Sequence, residues 1–114
     1  MNQISAISNS ELDEIVSRIV EVAQPEQVLI FGSTARGTTG PHSDLDILII
    51  KAGRYHPRKV AGRIYQRMRG IVRSIDLVIV TPQQVKDNRN SPFSVLYPAL
   101  REGRVLYERK KALS

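Results

Sequence analysis

At 114 residues, 41% hydrophobic and 25% charged, the chain has the balance of one folded domain, which argues against disorder. It has no cysteine, which rules out disulfides and thiolate metal sites, and no apolar run reaches the roughly 20 residues that span a bilayer. Seventeen lysines and arginines against eleven acids leave a net charge of +6, which points to anionic ligands or partners.

Met1–Ser10 lacks a basic segment followed by an apolar stretch, so no export signal is read and a cytoplasmic protein is expected. From Ser8 to about Ala23, Leu12, Ile15, Val16, Ile19, Val20 and Ala23 recur at helical spacing. Ser8 and Glu11 fit a capping box, and Pro25 stops the helix. Val28–Phe31 is a wholly apolar strand. Gly32–Ser43 is polar and holds Gly37, Gly40 and Pro41, so it contains loop, with room for a short helix at Thr34–Arg36. Leu45–Ile50 reads as a second strand. His56-Pro57 opens a helix with a Val60, Ala61, Ile64, Met68 stripe, and Gly70 is placed to end it. Ile75–Val80 is a third strand, and Thr81-Pro82 is the N-cap and first position of a short helix to about Asn88. Pro92 begins a last helix that Gly103 ends, and Arg104–Tyr107 is a closing edge strand. The fold class is therefore α/β or α+β, a small mixed sheet flanked by helices.

Three carboxylates stand out against this frame. On a strand, residues two apart share a face, so Asp44 and Asp46 project together where an apolar strand begins. Carboxylates this close repel unless a cation lies between them, and hard cations such as Mg²⁺ take oxygen ligands together with substrate phosphates. Asp76, one residue into the third strand, also wants a cation or a hydrogen-bonded partner. If its strand lies beside that of Asp44 and Asp46, all three converge on a site fit for displacement at phosphorus. Gly32-Ser33 follows a buried strand, where glycine allows close backbone approach and free amides and a hydroxyl suit phosphate. Arg36 suits either a phosphate or a salt bridge.

Gly32-Ser33, ten residues, then Asp44-Leu45-Asp46 matches the G-S-x10-D-x-D signature of DNA polymerase β-type nucleotidyltransferases. The fuller string from Phe31 through Gly37 and from Ser43 to Asp46 resembles the small minimal nucleotidyltransferases. Ile75–Val78 resembles the strand of the family's third carboxylate, and Leu100–Glu108 its usual ending, so the resemblance covers most of a single domain with its core at about residues 10–108. The resemblance implies a polymerase β-like fold in which Gly32 and Ser33 meet the terminal phosphates of ATP. It implies that Asp44 and Asp46 bind Mg²⁺ and that Asp76 completes the site and helps activate an acceptor hydroxyl. It further implies transfer of AMP, with release of pyrophosphate, to a tyrosine of a HEPN-domain ribonuclease toxin, so that the chain acts as a type VII antitoxin. A chain this short is expected to leave acceptor binding to a second molecule.

Other acceptors stay open. A small polycation such as an aminoglycoside wants an acidic pocket, which the charge does not advertise. An RNA 3′ end suits the charge better, but with two Phe, four Tyr and no Trp the chain shows no obvious base-stacking set. A binding module that neutralises a partner without catalysis is the third reading. Between Ile47 and Ile75 there is no acid, while Lys51, Arg54, Arg58, Lys59, Arg63, Arg67, Arg69 and Arg73 are basic. That run reads either as a docking or phosphate-steering face or as a solvated helix surface. His42 and His56 are read as loop residues.

Overall fold

A computed structural model describes residues 9–31, 45–71, 74–88 and 103–109. In chain order it holds α1 (Asn9–Ala23), β1 (Gln27–Phe31), β2 (Leu45–Ile50), α2 (Pro57–Gln66), β3 (Ile75–Val80), α3 (Pro82–Asn88) and β4 (Arg104–Glu108). The four strands form one mixed sheet in the order β3-β2-β1-β4. β1 runs antiparallel to both β2 and β4, whereas β2 and β3 are parallel. Parallel neighbours need a crossover, and α2 supplies it between β2 and β3.

Strand alternation sorts the apolar residues onto two faces. On one face, Val28, Ile30, Leu45, Ile47 and Ile49 pack with Leu12, Ile15 and Ile19 of α1 and with Val60 and Ile64 of α2. On the other, Leu29, Leu48 and Ile50 meet Val80 and Val85, the buried residue of α3. Burial on both faces explains why β2 reads as an almost continuous apolar run broken by Asp46.

The predicted starts and stops appear with small shifts. At α3, the Gln84 amide donates to Thr81 Oγ1 at 3.1 Å and the Thr81 amide donates to Gln84 Oε1 at 2.9 Å, a reciprocal capping box. α2 starts at Pro57 and ends at Gln66, earlier than Gly70; Gly70 instead sits at φ 89 in the turn that follows, where a left-handed backbone favours glycine. The C-terminal end of α2 is tied to α1: Arg18 Nη1 donates to the Arg67 and Arg69 carbonyls at 2.9 and 2.8 Å. Ser8, the Thr34–Arg36 segment and the helix predicted from Pro92 lie outside the described residues.

Candidate active site

The sheet brings Asp46 and Asp76 together. In the parallel β2–β3 ladder Asp46 is the register partner of Asp76, one residue in from the start of each strand. Parallel neighbours lie about 4.8 Å apart and point the same way, so the two carboxylates leave the same face at adjacent positions. That face is the one that carries Leu48, Ile50, Val80 and α3, since strand residues two apart share a side. Asp46 is half-buried and Asp76 exposed, so the pair stands at the open rim of a covered apolar face.

Phe31, the last residue of β1, is the antiparallel partner of Asp46. Phe31, Asp46 and Asp76 therefore form a row across three strands. The end of β1 meets the starts of β2 and β3 at one end of the sheet, and Gly32-Ser33 follows β1 in the sequence. The positions of Gly32, Ser33, Arg36 and Asp44 lie outside the described residues. Among the described residues no cluster of three His, Cys, Asp or Glu forms a metal site; Asp46 and Asp76 bring two carboxylates, and Asp44 is the third in the sequence. Two adjacent all-oxygen side chains at a solvent-accessible rim fit a hard divalent cation such as Mg²⁺.

The basic run divides by role. Lys51 Nζ donates to the Ala23 carbonyl at 2.7 Å, closing the C-terminal end of α1, and lies 5.4 Å over the Tyr55 ring. Arg67 pairs with Glu21. Arg54, Arg58, Lys59, Arg63 and Arg69 are exposed and form no ion pair with another described residue. α2 packs on the sheet face opposite the carboxylate row, so its cations do not line that row. A cleft of about 240 Å³ lined by Glu26, Gln27, Ile50, Val85 and Glu108 is also separate: Gln27 pairs with Ile50 at the far end of the strands from Asp46.

Sequence reasoning missed Tyr65. It sits among cations on α2, but its hydroxyl reaches the outer edge of β3 on either side of Asp76, donating to the Ile75 carbonyl at 3.0 Å and accepting from the Leu77 amide at 3.2 Å. Nothing in the local pattern signals such a contact, because it joins residues of two different elements.

The family profile described as "Polymerase beta, Nucleotidyltransferase" matches residues 13–112. No curated protein matches the chain. Among solved structures, a Sulfolobus solfataricus protein described as a candidate nucleotidyltransferase superposes with a TM-score of 0.61 at 23% identity, covering 92% of this chain and 84% of that one. A mutant MntA-HpeT toxin-antitoxin complex gives 0.59 at 15% identity, covering 91% and 75%. A spectinomycin adenyltransferase, AAD(9) from Enterococcus faecialis with ATP and spectinomycin, gives 0.56 at 16%, covering 96% of this chain and 58% of that one. At these identities the structural likeness establishes a shared fold.

Proposed function

Because the chain belongs to the polymerase beta nucleotidyltransferase family, we propose that it is a Mg²⁺-dependent enzyme that moves AMP from ATP to a hydroxyl. The acceptor we propose is a tyrosine of a HEPN-type ribonuclease toxin, which would make the chain its antitoxin. The observation that carries the reading is the register pairing of Asp46 with Asp76; in the sequence, Gly32-Ser33 follows Phe31, the register partner of Asp46. The fold shared with a toxin-antitoxin complex supports the choice of acceptor.

In this reading Asp44, Asp46 and Asp76 hold Mg²⁺, which when bound neutralises charge on the phosphates of ATP. Gly32 lets the backbone come close to those phosphates, Ser33 donates its hydroxyl to them, and Arg36 adds a cation. The acceptor hydroxyl attacks the α-phosphorus as its proton leaves towards the Asp76 carboxylate. The bond between the α-phosphorus and the α,β-bridging oxygen breaks, and pyrophosphate departs. Charge that develops on phosphorus oxygens is thus met by groups already in place.

The fold shared with a spectinomycin adenyltransferase keeps a small-molecule acceptor as the second reading. The test is to incubate the protein with Mg²⁺, ATP and, in parallel samples, the product of the neighbouring gene or spectinomycin, and to map adducts by mass spectrometry. AMP on a toxin tyrosine, absent with Asp46→Asn, is the expected result. An unmodified toxin alongside AMP on spectinomycin would move the assignment to the second reading.

A further inference from the structure

β3 is an edge strand of the described sheet, so alternate peptide groups along it have no strand partner on the outer side. The Leu45 amide donates to the Ser74 carbonyl at 2.9 Å, which shows that Ser74 directs its backbone groups towards β2. By the alternation of a strand, Asp76 does the same, while the Ile75 carbonyl and the Leu77 amide face outward. These two outward groups are the ones that the Tyr65 hydroxyl bridges. They belong to the peptide units immediately before and after the Asp76 Cα. Fixing both units fixes φ and ψ of Asp76, and with them the direction in which its carboxylate leaves the backbone.

We propose that Tyr65 is a positioning residue of the nucleotidyl-transfer site: its hydroxyl takes the place of a missing strand and holds Asp76 in register with Asp46. The inference rests on the assignment of Asp76 to that site. Tyr65 is 46% exposed, so apolar burial is not its main contribution, yet its hydroxyl uses both its donor and an acceptor site on β3. The helix that carries it is anchored in turn. Arg18 holds the Arg67 and Arg69 carbonyls just beyond Tyr65, and Ile64, the residue before it, is fully buried. The clamp is therefore built on a fixed helix end and not on a swinging side chain.

The test compares Tyr65→Phe, Asp76→Asn and, as a control tyrosine whose hydroxyl donates to the Lys51 carbonyl, Tyr55→Phe. Three quantities are read: the dissociation constant of Mn²⁺ in the presence of ATP by electron paramagnetic resonance, exchange of the Leu77 amide by NMR, and Tm. In Tyr65→Phe the freed Ile75 and Leu77 groups turn to water at an open edge. The variant is therefore expected to stay folded with Tm nearly unchanged, while Leu77 exchanges faster and Mn²⁺ binds about tenfold more weakly. Asp76→Asn is expected to weaken Mn²⁺ at least as much, and Tyr55→Phe to leave it unchanged. Mn²⁺ binding by Tyr65→Phe within about twofold of wild type, with Asp76→Asn impaired, would overturn the role of Tyr65 alone. Wild-type Mn²⁺ binding by Asp76→Asn would instead overturn the assignment of Asp76 to the site, and the inference with it.

Discussion

Asp46 and Asp76 are separated by a helix and a turn in the chain, yet a parallel ladder sets them side by side. Two carboxylates at that spacing repel each other, and a divalent cation between them offsets the repulsion. Mg²⁺ with ATP is therefore expected to raise Tm of the wild type and to leave Tm of Asp46→Asn unchanged, which differential scanning fluorimetry would read. Equal rises in both proteins would place the ligand elsewhere. The sequence displayed these carboxylates plainly, because a charge inside an apolar strand has few bland explanations. It did not display their register, which depends on which strands pair. At Tyr55, burial raises the phenol above its ordinary 10.0, and its hydroxyl donates to the Lys51 carbonyl at 2.8 Å. The folded state thus favours the neutral phenol. Its contribution is complete below the unfolded value and fades as pH rises through the folded one, so Tyr55→Phe is expected to flatten the loss of stability above about pH 10 in alkaline unfolding curves.

At the level of elements, hydrophobic period and punctuation locate the described helices and strands. The α1 stripe, the apolar β1 and β2 runs and the Thr81-Pro82 start of α3 each fold as read, since propensity, cap and burial agree there. The end of α2 was placed late because Gly70 marks a turn beyond the helix, four residues past its last helical position. Contacts between elements were illegible. Arg18 on α1 donates Nε to Glu14 at 2.8 Å and Nη1 to two carbonyls beyond α2, contacts that no local pattern signals. Arg18→Ala is expected to cost about 1–2 kcal/mol in urea unfolding, the range of a charge-assisted bond trimmed by solvent. Arg18→Lys should recover only part of it, since an ammonium lacks the fork that reaches all three oxygens. In the core, Ile47 is fully buried between α1 and β2's neighbours, and Ile47→Ala is expected to cost about 2–5 kcal/mol.

Across the whole molecule, the two faces of the sheet have separate tasks. α1 and α2 cover one, while the other carries the carboxylate row at one end and α3 at the other. Charge follows the same division: the exposed arginines and Lys59 of the α2 region stand on the side away from Asp46 and Asp76. Phosphate steering by this helix, one of the two functional readings of the basic run, therefore loses support. Arg58→Glu/Lys59→Glu/Arg63→Glu is expected to leave KM for ATP within about twofold of wild type, because these exposed cations belong to the opposite face of the sheet and salt screens them. A large rise in KM would return these cations to the nucleotide site. Among the described residues no helix is long and apolar enough to cross a membrane.

On the proposed function, the paired carboxylates serve transfer of a nucleotidyl group and not of a phosphoryl group. The most direct measurement supplies Mg²⁺, the neighbouring-gene product and ATP labelled at either the α- or the γ-phosphate, and follows label into the acceptor. Transfer is expected from α-labelled ATP alone, reduced by at least about a hundredfold in Asp46→Asn and in Asp76→Asn. Transfer of the γ-label, or α-label transfer undiminished in both variants, would contradict it.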